Sequence, residues 1–305
     1  MLIKTIKIST FYKKNVIFLY IKYHLSKSSN LCLISFVILT LSFFIITLSS
    51  CTKKNIIQKI ERIQFALVGN TNPESPFKNI SKKVIQTFNT INQNNPLFVI
   101  HLGNMVYGGA EWMGIREKDI SQQYEEFIFI TSRLKSILYT VKGEKDLLNN
   151  STDLYINYTK RKKYYSFNYG MMHFVIIDTI DLMGEEGDND QLKWLKNDLN
   201  YYKDSTAIII FTHNPLFVPS KSKSSIKNSR SKNYSELHKL FLKFPVKAVF
   251  SGHLPFYYKK KKDGIIYVIA GCGGYNHKRK GKRYNQFYIV NYFNEKITIF
   301  KKKLP

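Results

Sequence analysis

The stretch Pro96–Gly109, with the sequence PLFVIHLGNMVYGG, constrains the fold more than any other part of the chain. It begins with an apolar run, Leu97–Ile100, that has the composition of a buried strand. It then turns through Gly103–Asn104 and closes on Tyr107–Gly109. A strand that ends in a glycine-rich loop places side chains at the carboxyl edge of a sheet, where α/β proteins bind their ligands. The sequence therefore predicts a functional site in this loop.

The rest of the chain alternates strands and helices and then ends in consecutive strands. Apolar runs predict strands at Gln64–Val68, Tyr164–Phe167, His173–Asp178, Ala207–Phe211, Val246–Phe250, Ile265–Ala270, Phe287–Tyr292 and Lys296–Phe300. Leu138–Val141 leads directly into Gly143–Asp146. Helical spacing of apolar residues predicts helices at Ser81–Asn92, Asp119–Leu138, Gln191–Leu199 and Ser235–Leu242. Ser220–Asn233 is rich in Ser, Lys and Arg without an apolar period, which predicts a mobile loop. The layout is that of an α/β protein with sheets between helical layers.

The first fifty residues predict an export signal. They contain six Lys and no acidic residue, and Leu31–Leu48 then runs for 18 residues without a charge. A basic segment followed by an apolar one is typical of a signal peptide. A run of that length can also remain in place as a single membrane span.

The end of the apolar run favours a lipoprotein. Leu48–Cys51 (LSSC) resembles a bacterial lipobox, in which small residues admit the signal peptidase and the Cys thiol takes a diacylglycerol. We therefore expect a signal peptide at residues 1–50, a tether at 51–62 and one domain at 63–305, with Cys51 anchoring the protein to a bacterial membrane on the periplasmic side or cell surface. Cleavage would leave only Cys51 and Cys272, so no structural disulfide is expected.

The chain is strongly basic, with a formal net charge of +26. Its Lys, Asn and Ile content is also what an AT-rich genome produces, so the charge alone identifies no ligand. Two clusters, Lys259–Lys262 and Lys278–Arg283, are predicted to be solvated loops, and the alternative is that they bind anionic lipid headgroups or another polyanion. No stretch resembles a nucleic-acid-reading motif, so nucleic acid is not an expected partner.

Several ordered stretches resemble the calcineurin-like metallophosphoesterases. Gly103–Tyr107 is similar to the Gly-Asp-x-x-Tyr signature of their purple-acid-phosphatase-like branch, with Asn104 in place of the Asp. Tyr164–Asp178 resembles the central hairpin of the family, and Ala248–His253 and Ile266–Gly271 resemble its late strands. The resemblance extends from about residue 63 to 300 and implies an α/β fold, the four-layer αββα sandwich of the metallophosphoesterases.

The resemblance also implies a dinuclear metal centre, and the chain departs from it. In active members two metal ions activate a water and clamp a phosphate. Asn70 stands at the position of the first-site Asp, and Asn104 stands at the Asp that bridges the two ions. An Asn keeps the shape of Asp but contributes no negative charge and bridges cations poorly.

Two further motifs are altered. The family's Gly-Asn-His-Glu/Asp is replaced by Gly143–Asp146 (GEKD), so Glu144 stands for a ligand amide and Lys145 for the catalytic His. The family's Gly-His-x-His is replaced by GHLP, so Pro255 stands for a His ligand. Three ligands of the family keep their identity: Tyr107, His213 and His253.

These exchanges predict a family member of the phosphoesterase (hydrolase) type that binds no metal and has lost its activity, a pseudophosphatase that serves as a binding protein. Its expected ligands are a phosphate group, an anionic lipid or a polyanion. The alternative is a weak phosphoesterase with a single divalent ion (Fe, Mn or Zn) at Glu144, His213 and His253. Lys145 argues against that ion, because an ammonium group repels a nearby cation.

The other polar residues of interest are expected to be structural. His101 and His173 match no ligand position of the family, so we predict core or structural roles for them. Asp146 and Asp178 follow predicted strands, and we expect both to hold loops through backbone hydrogen bonds.

Overall fold

Two mixed β-sheets and the helices that cover them account for the architecture. The computed structural model describes residues 62–182, 189–219, 229–271, 278–279, 282–283 and 286–304, which all lie in the unit Glu61–Pro305. The predicted signal peptide and the predicted tether up to residue 61, together with Cys51 and Cys272, lie outside the described residues. Among the residues that are described, no helix is both long enough and apolar enough to cross a bilayer.

The strands of the described residues are, in chain order, β1 (Ile63–Val68), β2 (Phe98–His101), β3 (Ile137–Thr140), β4 (Tyr165–Tyr169), β5 (Met172–Ile176), β6 (Ala207–Thr212), β7 (Val246–Ser251), β8 (Tyr257–Lys262), β9 (Ile265–Ala270), β10 (Lys278–Arg279), β11 (Lys282–Arg283), β12 (Gln286–Phe293) and β13 (Lys296–Lys303). The first sheet has the order β13-β12-β1-β2-β3 and the second has the order β4-β5-β6-β7-β9-β8. The central strands β1-β2-β3 and β5-β6-β7-β9 are parallel, so their carboxyl ends meet at one edge of each sheet.

Helices occupy the outer face of each sheet. They are α1 (Lys82–Gln93), α2 (Glu117–Thr131), α3 (Asp153–Thr159), the single turn α4 (Thr179–Leu182), α5 (Asn189–Tyr201) and α6 (Ser229–Phe241). Val84 and Phe88 of α1 and Phe127 of α2 pack on the first sheet. Leu195 of α5 and Phe241 of α6 pack on the second sheet. The order helix, sheet, sheet, helix confirms the predicted αββα sandwich.

Aromatic rings fill the space between the two sheets. Phe65 stacks on Phe98 at 5.1 Å and meets Phe174, Phe211 and Phe250 edge to face at 5.8–6.0 Å. All five rings are buried. Burial of a Phe side chain stabilises a fold by about 1.5–3 kcal/mol, so this inner layer is a major source of stability.

A predicted helix and a predicted loop differ in the structure. The helix predicted at Asp119–Leu138 ends at Thr131, because Ile137–Thr140 pairs with β2 as strand β3. The β-branched and aromatic composition of that run suits a sheet, and strand pairing overrides the helical spacing. The loop predicted at Ser220–Asn233 becomes helix from Ser229 onward, while residues 220–228 lie outside the described part.

The basic clusters are also strands rather than loops. Lys259–Lys262 belongs to β8, which pairs with β9 through a tight turn at Asp263 and Gly264. Both turn residues have positive φ (47° and 84°), as a type I′ hairpin requires. In the second cluster the pairs at 278–279 and 282–283 form the small antiparallel ribbon β10-β11.

Candidate metal centre

Five loops converge at the carboxyl edges of the two sheets. Three of them follow β1, β2 and β3 of the first sheet, and two follow β6 and β7 of the second. They bring together side chains that lie far apart in the sequence: Asn70, Asn104, Glu144, His213 and His253. The site is therefore built across the interface between the sheets.

The loop backbones have an unusual conformation at the site residues themselves. Asn70, Asn104 and His253 have φ angles of 53°, 61° and 58°, in the left-handed region. Asn adopts this conformation with little loss of stability, because its short polar side chain can hydrogen-bond to the nearby backbone. Gly103 has φ 93°, and a Cβ there would lie 2.3 Å from His213 Nδ1, so only glycine fits. The backbone thus aims these side chains into the site.

The two Asn side chains form a hydrogen-bonded chain. Asn104 Nδ2 donates to Asn70 Oδ1 at 3.2 Å and to Glu144 Oε1 at 3.0 Å. Asn104 Oδ1 accepts from the backbone N–H of Lys145 at 3.0 Å, which fixes the orientation of the amide. Asn70 Nδ2 donates to the carbonyl groups of His253 and Gly271. The amide hydrogens of both residues are therefore used inside the protein.

Asp146 holds the β2 loop and the Glu144 turn together. It is fully buried and accepts backbone N–H bonds from Asn104, Met105, Val106 and Gly143 at 2.6–3.3 Å. Burial raises the pKa of this carboxyl to about 6, and the N–H donors oppose the rise. The predicted structural role of Asp146 is confirmed by these bonds.

Glu144 lies between the two histidines. Its Oε2 is 2.5 Å from His213 Nε2, and its Oε1 is 3.1 Å from His253 Nδ1. Burial acts to raise the pKa of Glu144, but the two imidazoles together lower it well below its ordinary value. Glu144 is therefore a carboxylate with two imidazole partners.

His213 has the orientation that metal-binding histidines usually have. It is fully buried, and its Nδ1 donates to the carbonyl of Leu102 at 2.6 Å. This bond directs Nε2 into the site, as the outer hydrogen bond of a ligand histidine does. Nε2 makes no well-aligned hydrogen bond, although the Glu144 oxygen is close. Burial lowers the pKa of His213, and the adjacent carboxylate more than reverses that effect.

Of the two metal positions that the resemblance implies, one has side chains that could hold an ion and the other does not. One ligand atom each from Glu144, His213 and His253 fit within 4.8 Å of one another, a donor set that suits a single divalent ion. The other position does not fit an ion, because the Asn70 and Asn104 amides are bonded to each other and to carbonyl groups. The amide nitrogens have no free lone pair for a metal, and both amide oxygens already accept N–H bonds, Asn70 Oδ1 from Asn104 Nδ2 and Asn104 Oδ1 from the Lys145 backbone. Pro255 supplies no ligand.

Lys145 lies at the rim of the site beside Tyr107. Its Nζ is 4.4 Å from the centre of the Tyr107 ring, in cation–π contact. Partial burial lowers the pKa of the Lys145 ammonium, and Glu144 opposes that shift. Tyr107, which the sequence resemblance assigns to a metal-ligand position, thus lies beside an ammonium group in this chain.

The other two histidines considered in the sequence lie outside the site. His101 is buried, accepts from the backbone N–H of Gly103 at 3.2 Å and bonds Thr71 Oγ1 at 2.9 Å. His173 bonds Asn168 and Asp198 at 2.7 and 2.8 Å. Both have the structural role that was predicted.

One residue beneath the site was missed by the sequence reasoning. Lys142 is fully buried, with Nζ 2.6 Å from Asp178 Oδ2 and 3.2 Å from Asp181 Oδ1. Asp178 also accepts the N–H of Ile180, as its predicted role requires. The pair joins the end of β3 to the end of β5 across the sandwich. The only sequence signal was a Lys that directly follows the apolar Val141 and precedes Gly143.

The chain matches the family model for the calcineurin-like phosphoesterases over residues 79–257. No curated protein matches the sequence at a significant level. Three solved structures illustrate the likeness. A dimetal phosphatase from Danio rerio has a TM-score of 0.62 at 12% identity, over 79% of this chain and 96% of that one.

The second structure, a purple acid phosphatase from yellow lupin (Lupinus luteus), gives a TM-score of 0.58 at 14% identity, over 80% of this chain and 52% of that one. The third is described as the anchor in the inner membrane complex of Plasmodium. It gives a TM-score of 0.53 at 15% identity, over 80% of this chain and 88% of that one. Identities this low show a common fold, whose sheet edges carry the loops described above.

Proposed function

The chain belongs to the calcineurin-like phosphoesterase family, and we propose that it is a non-catalytic member, a membrane-anchored binding protein whose dinuclear centre is dismantled. The observation that carries this proposal is the bond from Asn104 Nδ2 to Asn70 Oδ1 and Glu144 Oε1. In a dinuclear centre a cation holds such oxygen atoms together. Here an amide N–H group does so.

Lys145 supports the same proposal through its charge. It stands where the family places a catalytic His, and its ammonium lies over the Tyr107 ring. A fixed positive charge at this rim repels an incoming divalent ion and attracts an anion. The ligand class that suits it is a phosphate or carboxylate group that is bound without being cleaved.

The first prediction tests metal binding and turnover together. The wild-type full chain, purified after exposure to Mn²⁺, Fe²⁺ and Zn²⁺, should retain far less than stoichiometric metal by elemental analysis. It should hydrolyse p-nitrophenyl phosphate no faster than a heat-denatured sample. Stoichiometric metal with metal-dependent turnover would overturn the proposal.

That contrary result would establish the second candidate function, a phosphoesterase with one ion at Glu144, His213 and His253. The close grouping of these three ligand atoms is the observation in its favour. The ion would supply a Lewis acid for a phosphate oxygen. The variant His213→Gln should then abolish both metal and turnover, whereas His173→Gln, which alters a histidine outside the site, should leave both unchanged.

The membrane attachment is proposed from the N-terminal sequence. The lipobox-like Leu48–Cys51 and the basic apolar segment before it support a lipid anchor at Cys51. The fold shared with a protein described as a membrane-complex anchor is compatible with such a role.

The second prediction concerns this anchor. In a bacterial host the wild-type chain should partition into the detergent phase, and Cys51→Ala should release it or leave it unprocessed, because the thiol that takes the lipid is gone. Gel mobility and phase partitioning report both effects, with Cys272→Ala as the matched control. Identical size and partitioning of Cys51→Ala and wild type would indicate a membrane span instead.

A further inference from the structure

The two edge strands on one side of the sandwich carry an unusual amount of positive charge. β8 contains Lys259–Lys262, and β13 contains Lys296 and Lys301–Lys303. These eight lysines are exposed or half-buried, and neither strand contains an acidic residue. We call this set of eight the basic edge.

Both strands lie on the same side of the molecule. Tyr257 of β8 stacks on Tyr288 of β12 at 5.3 Å, and Tyr288 pairs with Lys301 of β13. β8 therefore lies over the β12-β13 pair, and each of the two strands ends its own sheet. Side chains alternate along a strand, so Lys259 and Lys261 share the face of Tyr257, whereas Lys260 and Lys262 lie over the Phe217 ring at 5.0 and 5.2 Å. The basic edge therefore presents lysines along the rim formed by the two strands and on the adjoining outer face.

Protection of sheet edges does not account for this charge. Lysines on an edge strand do prevent pairing with other chains. The opposite edges of the same two sheets, β3 (ILYT) and β4 (YSFNY), contain no charged residue. Those edges cover one another, with Tyr139 stacked on Phe167 at 3.7 Å. A few lysines would be enough to protect the edges formed by β8 and β13, but these two strands carry eight.

Local acids neutralise little of the charge. Asp263, in the β8-β9 turn, bonds His238 at 2.8 Å and contacts Lys262 at 3.4 Å. Glu295, in the β12-β13 turn, contacts Lys247 at 3.5 Å. Within β8 and β13 themselves, the runs Lys259–Lys262 and Lys301–Lys303 contain no acidic residue.

Apolar side chains interrupt the lysines. Phe300 in β13 and Phe293 at the end of β12 are 47% and 48% exposed, and Tyr257 is 37% exposed. Lysines interspersed with exposed aromatic rings are typical of surfaces that lie at a membrane interface.

We propose that the basic edge docks on an anionic phospholipid surface, so that the domain lies flat against its membrane by this side. The proposal rests on the proposed membrane attachment and specifies the lipid chemistry and the orientation. Each lysine near an anionic bilayer gains favourable electrostatic energy that salt screens. The exposed aromatic rings favour a bilayer over a soluble polyanion.

Amine footprinting of the full chain tests the orientation. The protein is reconstituted into nanodiscs of phosphatidylcholine with or without phosphatidylserine, and lysine acetylation is followed by mass spectrometry. Labelling of Lys259, Lys261, Lys302 and Lys303 should slow severalfold in anionic discs and recover at high salt. The exposed Lys193 and Lys196 of α5 serve as controls and should label equally in both discs.

Partitioning of variants gives an independent measurement. A variant with four Lys→Gln changes at 259, 261, 302 and 303 should lose its preference for anionic over neutral vesicles, by on the order of a hundredfold. A control with the same charge loss at Lys82, Lys118, Lys193 and Lys196 should keep that preference. Association with neutral discs reports on the anchor alone, so failure of the anchor is distinguishable from failure of the basic edge.

Two outcomes would overturn the proposal. Equal labelling in both kinds of disc at low salt would show that the basic edge does not meet the bilayer. Protection by heparin without protection by phosphatidylserine would assign the surface to a soluble polyanion.

Discussion

Restoring four residues should turn the full chain into a protein that takes up divalent metal and hydrolyses p-nitrophenyl phosphate: Asn70→Asp, Asn104→Asp, Lys145→His and Pro255→His. The changes replace two amides by carboxylates and remove the ammonium that opposes a cation. His213 already points Nε2 into the site through its bond to Leu102. Elemental analysis and a metal-dependent rate measure the gain. A folded variant with neither metal nor turnover would show that the scaffold has lost the geometry of the centre.

A single change isolates the role of the amide. In Asn104→Asp a carboxylate faces Glu144 and the two bonds donated by Nδ2 are lost. We expect the free energy of unfolding to fall by about 1–3 kcal/mol without metal. Added Mn²⁺ should raise the melting temperature again by mass action. The control Asn150→Asp makes the same exchange at an exposed position with φ 61°, and it should respond to neither condition.

Removing the buried ammonium beneath the site should cost more stability than any other single change proposed. Lys142→Ala leaves Asp178 buried without its cation, and breaking such a pair costs about 3–5 kcal/mol. Burial raises the pKa of Asp178 and Lys142 opposes that rise, so the variant should take up a proton there. Urea unfolding monitored by near-ultraviolet circular dichroism measures the loss.

Lys163→Ala is the matched control for this change. Lys163 also contacts Asp181, at 2.9 Å, but its side chain is 36% exposed, so its loss should cost less than about 1 kcal/mol. The paired change of Lys142 and Asp178 to Met should recover much of the stability, since no charge stays buried. Equal losses in Lys142→Ala and Lys163→Ala would contradict this account.

The Lys142–Asp178 pair also connects to the site. Lys142 precedes Gly143 and Glu144, while Thr179, next to Asp178, accepts the N–H of Asn214 at 2.9 Å. The Glu144 turn and the His213 loop are thus linked to one ion pair. Loss of that pair should loosen both loops together, which amide hydrogen exchange can detect.

Local patterns in the sequence were sufficient for most of the fold. Apolar runs predicted the central strands, because a strand buried on both faces needs only apolar residues. The end of helix α2 was wrong, since Ile137–Thr140 fits a helical period and only pairing with β2 decides otherwise. The Asp263–Gly264 turn is a sequence signal for the β8-β9 hairpin. The four consecutive lysines at Lys259–Lys262 nevertheless led to the prediction of a loop.

The site could be predicted in part. The convergence of the five loops follows from parallel strands that end on one edge. Two features depended on partners distant in the sequence. The burial of Lys142 requires Asp178 on the other sheet, and the contact of Lys145 with Tyr107 requires the packing of two loops. No local pattern contains these distances.

The left-handed backbone at Asn70 and Asn104 has a consequence for how such proteins are recognised. Asn and Asp tolerate this conformation almost equally, so exchanging one for the other leaves the loop path unchanged. Such an exchange removes carboxylates from a phosphatase-like site without changing its outline, because the difference is one oxygen replaced by NH₂ on each side chain. A comparison of backbone structures does not distinguish Asn from Asp. Whether a protein with this fold is a catalyst therefore has to be judged from its side chains.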